Sequence, residues 1–223
     1  MSKQISYYVK KYIEGDPTIK VGIQRGLISA RVLTKHIIEE EKEFKGSFDD
    51  VRNAVRKYSS ESLLQQDFKD VYFAFRGSHI DIKSRLAYIE IDRNIKNEDL
   101  VKINNFYPKE KFVRFLSNEK SFILIANEED TDKILKLIGK DNILSVTGNI
   151  TSVTINLDKS VKHIPGVYFL IMGQISLNKI NIYDISSFKS ELTIYVDQKD
   201  AVKVHQLLYD LCEYEKKYCK LKV

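Results

Sequence analysis

Apolar residues recur with helical spacing in the first quarter of the chain, and after Gly77 they cluster in short β-like runs. Ile5, Tyr8, Val9, Tyr12 and Ile13 form one helical stripe. Asp16 before Pro17 predicts an N-cap with proline at the first helical position, and Gly26 predicts a left-handed stop. Ser29 is expected to cap a helix ending near Lys45-Gly46. Ile28 and Leu33 are spaced there for a hydrophobic staple, with Val32, Leu33, His36 and Ile37 inward. Ser47 opens a fourth helix with Phe48, Val51, Val55 and Tyr58 on one face. Residues 1–60 thus read as a small helical bundle. Residues 61–77 read as a connecting segment, helical through Phe68, Val71, Tyr72 and Phe75.

Ile80, Ile82, Leu86, Tyr88, Ile89 and Ile91 belong to the first β-like runs. A repeat follows. Phe122–Ala126 leads into Asn127-Glu128-Glu129-Asp130, and 70 positions on, from Asn127 to Asp197, Leu192–Val196 leads into Asp197-Gln198-Lys199-Asp200. In both copies a strand ends on an Asx residue able to cap a helix, and Asp130 or Asp200 favours the dipole of its first turn. The strand ending near Asp92 has a counterpart ending near Asn156. The pattern predicts an α+β protein: the helical bundle, then two ferredoxin-like βαββαβ units over 78–148 and 149–223. No Pro- or Ser-rich spacer separates these units, so they are expected to pack as one body.

The second unit carries His163-Ile164-Pro165-Gly166-Val167 ahead of an apolar helix, and Asn178-Lys179-Ile180-Asn181-Ile182 after it. These residues resemble the ACT module, a small amino-acid-binding regulatory domain. The tandem arrangement resembles the regulatory tail of aspartate kinases over residues 78–223, without that family's kinase domain. The resemblance implies a small amino-acid effector held at His163, Ile164, Pro165, Gly166 and Val167. It also implies that Asn181 contacts the ligand, in the family often across a dimer interface, and that Asp184 receives an ammonium. Glycine permits close approach, and free N–H groups at a helix start suit a carboxylate. The residues alone equally allow a plain strand-to-helix turn with Asn181 as a polar edge residue. Lys179 stands where the family has glycine, so Asn178 is expected to take the left-handed conformation. Gly173 is expected to allow close helix packing. In the first unit the matching loop, Arg93-Asn94-Ile95-Lys96, lacks Pro-Gly and is expected either to be architectural or to hold a different ligand.

The net charge of +5 is compatible with nucleic acid without requiring it. Residues 17–43 have helix-turn-helix spacing, with Arg31, Thr34, Lys35 and Ile38 expected outward and Arg25, Arg52, Arg56 and Lys57 placed for phosphates. Glu39, Glu40, Glu41 and Glu43 oppose that use. The helical segment therefore reads as a DNA-binding domain, as a docking module for an amino-acid biosynthetic enzyme, or as plain three-helix packing with no partner of its own.

No run approaches the length of about 18 apolar residues that spans a bilayer. The N-terminus lacks a signal-like block, and Cys212 and Cys219 suit ordinary thiols in a reducing cytoplasm. His36, His79, His163 and His205 show no metal spacing; His36 and His205 are expected near apolar helix stripes. No phosphate loop, nucleophile elbow or paired carboxylates occur, so no catalytic residue, metal or cofactor is expected. Lys216, Lys217, Lys220 and Lys222 are expected on a solvated strand edge. The sequence reads as a cytoplasmic, homodimeric, amino-acid-responsive regulator acting on DNA, with an enzyme-docking regulatory subunit as the alternative.

Overall fold

The computed structural model describes residues 2–41, 46–62, 68–106, 112–117 and 119–219. The chain divides into two compact units, Met1–Asp67 and Phe68–Val223.

The first unit holds α1 (Ser2–Gly15), α2 (Pro17–Gln24), α3 (Ala30–Glu40) and α4 (Phe48–Ser62). Ile5, Val9 and Ile13 of α1 pack with Ile23, Leu33, Ile37, Val51 and Val55. Local chemistry sets the helix ends. The Asp16 side chain accepts from the amides of Thr18 (2.7 Å) and Ile19 (3.3 Å), Pro17 opens α2, and Gly26 follows its end at φ 67°. Ahead of α4, the Asp50 amide donates to Ser47 Oγ at 3.2 Å while that hydroxyl donates to the Asp50 carboxylate at 2.6 Å. Ser29 precedes α3 but makes no side-chain cap bond.

The inward face of α3 differs from expectation. Val32 is 67% exposed and His36 is exposed, its Nε2 lying 3.5 Å from the Glu40 carboxylate. Thr34 is fully buried in their stead. Its hydroxyl donates to the Ala30 carbonyl at 2.7 Å, which satisfies the polar group and lets it sit inside. The expected helix end near Lys45 falls on residues 42–45, outside the described residues.

The second unit runs α5 (Phe68–Phe73), β1 (His79–Asp92), α6 (Asn97–Phe106), β2 (Val113–Ser117), β3 (Ser121–Asn127), α7 (Thr131–Ile138) and β4 (Ile143–Asn156). It continues with α8 (Val167–Leu177), β5 (Ile182–Phe188), β6 (Glu191–Asp197) and α9 (Ala201–Cys219). One antiparallel sheet contains all six strands of the described residues, in the order β2-β3-β1-β4-β6-β5.

The two 14-residue strands each serve twice. Leu86–Asp92 of β1 pairs with β3 on one side and with the first half of β4 on the other, whereas His79–Lys83 pairs with Ser152–Asn156. The ferredoxin-like order therefore occurs as β2-β3-β1-β4 and again as β5-β6-β4-β1. The last strand of the second copy is the start of β1, not a segment after α9. This corrects the expected layout: α9 continues to Cys219, so Lys216 and Lys217 lie on a helix, while Lys220 and Lys222 lie outside the described residues. The boundary expected at 148/149 falls inside β4. The copies are offset by 64 residues at Asp92 and Asn156 but by 70 at Asn127 and Asp197.

Helices cover one face of the sheet, burying Ala87, Ile89, Leu124 and Ile134 in one cluster and Val153, Ile155, Ile171, Ile194 and Leu208 in another. The opposite face closes on itself around Leu86, Ile123, Ile125, Ile150 and Tyr195. Arg114 of β2 pairs with Glu191 of β6 at 2.5 Å, and the Tyr88 hydroxyl of β1 donates to Asp184 of β5 at 3.2 Å. Strands as far apart as β2 and β6 would stand about 19 Å from each other in a flat sheet, so the sheet is sharply bent. The crossover points, Arg85 in β1 and Asn149 in β4, both have φ 57°. Left-handed residues and register shifts at these points increase local bending.

Gly173, inside α8, has nothing within 4 Å of where a Cβ would stand, so close packing does not account for it. Gly173→Ala is expected to stabilise the protein by about 1 kcal/mol through helix propensity and lost unfolded-state entropy. A rightward shift of the urea midpoint would show this.

Candidate functional site

Beyond β4 the Asp158 side chain accepts from the Ser160 amide at 2.8 Å and starts a 3-10 turn over Lys159–His163. Hydrogen bonds from the Ser160 side chain and amide hold the Asp158 carboxyl below the usual carboxylate range. The chain then passes Ile164 and Pro165 to Gly166, whose φ of 98° and ψ of −11° suit glycine. Leu170 donates to the Gly166 carbonyl at 3.1 Å, closing the first turn of α8. The amides of Val167, Tyr168 and Phe169 precede that first helical bond and face the helix entrance without an intrahelical acceptor. A cleft of about 310 Å³ opens there, lined by Val161, His163, Ile164, Pro165, Gly166, Val167 and Tyr168.

All five residues of the expected effector loop, His163 through Val167, thus line one cleft. Asn181 and Asp184 do not join it within one chain. The 11 residues of α8 span about 16 Å, and exposed Asn181 follows the far end of that helix. Asp184 pairs with Tyr195 on the face turned away from the helices, where its carboxylate accepts from the Tyr88 hydroxyl. A bulge at Tyr183 is the cause: Ile182 faces Val196 and Asp184 faces the next residue, Tyr195, so the side-chain alternation reverses. The left-handed residue of the preceding turn is Lys179 (φ 57°), not Asn178 (φ −89°). Asn178 instead donates its side-chain amide to the Gln174 carbonyl at 2.9 Å.

Tyr168, absent from the sequence-derived set, lines the cleft and ties α8 to β5 through a 2.8 Å hydrogen bond with Ser187. Adjacency to Val167 was the available signal. Outside the cleft, Phe169 and Leu177 of α8 and Tyr183, Ile185 and Phe188 of the edge strand β5 are exposed.

On the helical unit Arg25, Arg31, Lys35 and Arg56 are exposed, with Lys35 Nζ 3.6 Å from Glu39. Thr34 is buried and so is withdrawn from the set expected to read DNA. Arg52 is half-buried and pairs with Asp49 at 2.8 Å. Leu27 and Val32, 68% and 67% exposed, accompany these cations.

A second cleft of about 360 Å³, where β1 begins beside α9, holds His79, His205 and Cys212. Among the described residues no three His, Cys, Asp or Glu side chains converge as a metal ion requires, and no helix is long and apolar enough to cross a membrane.

No protein family and no curated protein matches the sequence. Solved structures do match. The aspartate kinase of Clostridium acetobutylicum superposes with a TM-score of 0.51 at 20% identity, covering 59% of this chain and 34% of that one. A structure of aspartokinase alpha and beta subunits gives 0.50 at 16% identity over 60% and 97%. The regulatory subunit of aspartate kinase from Thermus thermophilus gives 0.49 at 10% identity over 59% and 95%. The chain therefore spans about a third of the length of the Clostridium kinase. The likeness is one of fold: a mixed helix and antiparallel-sheet architecture of the kind found within aspartate kinases.

Proposed function

We propose that this chain is a cytoplasmic regulatory module that binds a small amino acid and acts on a partner enzyme. The cleft at the start of α8 carries this reading. Its amides present donors to an α-carboxylate, and Gly166 lets the ligand approach the backbone. A second copy, meeting the first through the exposed apolar residues of α8 and β5, supplies Asn181 to the cleft of its partner. The helical unit is the docking arm. Exposed Leu27 and Val32 beside Arg31 and Lys35 suit a protein surface, and Glu39, Glu40 and Glu41 would repel a phosphate backbone.

The test is a melting-temperature screen against the twenty amino acids, with Gly166→Asp as control. One or two amino acids are expected to raise the melting temperature by several degrees, corresponding to about 2.7 kcal/mol when present at a hundred times Kd, and the variant is expected to lose the response. Absence of any rise sinks the sensor reading. Salt-sensitive retention on DNA, without ligand-dependent capture of an enzyme, would reverse the assignment of the helical unit.

A further inference from the structure

We infer that the effector loop and the connector helix α5 form one cooperative element, so that ordering the loop orders the segment that follows the helical unit in sequence. The inference rests on the proposed function only for what orders the loop. Its mechanical part stands on two contacts. The Asp158 amide, at the root of the loop, donates to the Ala74 carbonyl just after α5 at 3.0 Å. Val71, Ala74 and Phe75 also share one buried cluster with Val161, Val167 and Ile171 of the loop and α8.

Backbone and core thus join two segments more than 80 residues apart in sequence, Ala74 and Asp158. Beyond Ala74, the chain turns through Gly77 (φ 67°) into the half of β1 that serves as last strand of the loop's own sheet copy. The register His79–Asn156 to Lys83–Ser152 carries that half of β1 back along β4, the strand that leads into the loop. The connector is therefore tied at its C-terminal end, through Ala74 and through β1, to the element that presents the cleft. Motion of either segment must break the Asp158–Ala74 bond or open the shared core. Segments locked in this way open as one unit.

Hydrogen exchange followed by mass spectrometry on the full chain tests this. Asp158 already has φ −60°, the angle that proline imposes, so Asp158→Pro removes the amide donor without forcing that angle. Asp158→Ala removes the side-chain cap but keeps the donor. Loss of one hydrogen bond predicts exchange about fivefold faster. In Asp158→Pro this acceleration is expected both in the loop and in residues 71–76, with α7 unchanged. Asp158→Ala loosens the loop through the lost cap while the bond to Ala74 stays, so residues 71–76 are expected to quicken with the loop there too. Acceleration confined to the loop in either variant overturns the inference.

If Asp158→Pro does not fold, Val161→Ala replaces it: loosening the shared core must speed exchange in α5, and an unchanged α5 overturns the coupling. Addition of a mixture of the twenty amino acids separates the two readings. Protection of both loop and α5 supports the coupling, and protection of the loop alone overturns it. If no segment is protected although the variants loosen loop and α5 together, the effector reading fails and the coupling stands.

Discussion

Phenylalanine at position 195 is expected to make the sheet unit more stable, by about 1 kcal/mol at neutral pH and by about 3 kcal/mol near pH 12. Tyr195 is fully buried where the two halves of the bent sheet face each other, and its hydroxyl has no hydrogen-bond partner among the described residues. An unsatisfied buried hydroxyl costs about 1–3 kcal/mol, which phenylalanine avoids while keeping the ring. Burial pushes the phenol up to about 12; the Arg114 charge opposes this, and the Asp184 and Glu191 carboxylates add to it.

The sign of the pH effect follows. In the unfolded chain the phenol ionises near 10, and in the folded one near 12. Below pH 10 both states hold the proton and stability does not change. Between pH 10 and 12 the unfolded state binds fewer protons, so stability falls with rising pH. At about 1.4 kcal/mol per pH unit, and allowing for partial ionisation of the folded form, the loss reaches about 2 kcal/mol at pH 12. Phenylalanine does not titrate, so the gap between variant and parent must widen above pH 10. Urea denaturation at pH 7, 9 and 11 measures it; a destabilised variant at pH 7, or a gap that stays constant with pH, contradicts the argument. Some alkaline slope remains in the variant. Tyr12 and Tyr88 are also pushed up to about 12, the first by burial and its bond to Glu40, the second by burial and the Asp184 charge.

What the sequence revealed depended on how local the determining interaction was. The cap of α2 and its left-handed stop were legible because Asp16, Pro17 and Gly26 act within a few residues of the helix they bound. The inward face of α3 was misread because Thr34, polar in type, satisfies its hydroxyl inside its own helix. The sharing of β1 and β4 left no local mark. The bend residues Arg85 and Asn149 are not glycines, and the pairing partners of His79–Lys83 lie more than 60 residues away. Repeating the first copy's template at the C-terminus therefore predicted a strand where α9 stands. The turn that opens α8 was legible through Pro165-Gly166, whereas the bulge at Tyr183, which turns Asp184 to the other face, depends on register with β6. Asn181 illustrates a further limit: its position at the far end of α8 gives it a role at the cleft only in an assembly of two copies.

The sharpest test of that assembly compares two apolar residues of α8. Its sequence, Val-Tyr-Phe-Leu-Ile-Met-Gly-Gln-Ile-Ser-Leu, is apolar nearly all round, so periodicity alone does not select an inner face. In the structure Val167, Ile171 and Ile175, four apart, are buried, while Phe169 and Leu177 are exposed, the latter to 79%. Ile171→Ala is expected to cost about 3 kcal/mol, the loss of a fully buried branched side chain together with the cavity left among Val153, Ile194 and Leu208. Phe169→Ala is expected to change the stability of the isolated chain by less than about 0.5 kcal/mol. Its effect should be on self-association, because a ring withdrawn from water by a second copy contributes binding free energy there. Denaturation of both variants at low protein concentration, with sedimentation across a concentration series, distinguishes the roles. A dimer weakened by Phe169→Ala places α8 in the interface and Asn181 within reach of a partner's cleft. A dimer indifferent to Phe169→Ala removes α8 from the interface, and an effector bound at His163–Val167 would then have to be held without Asn181.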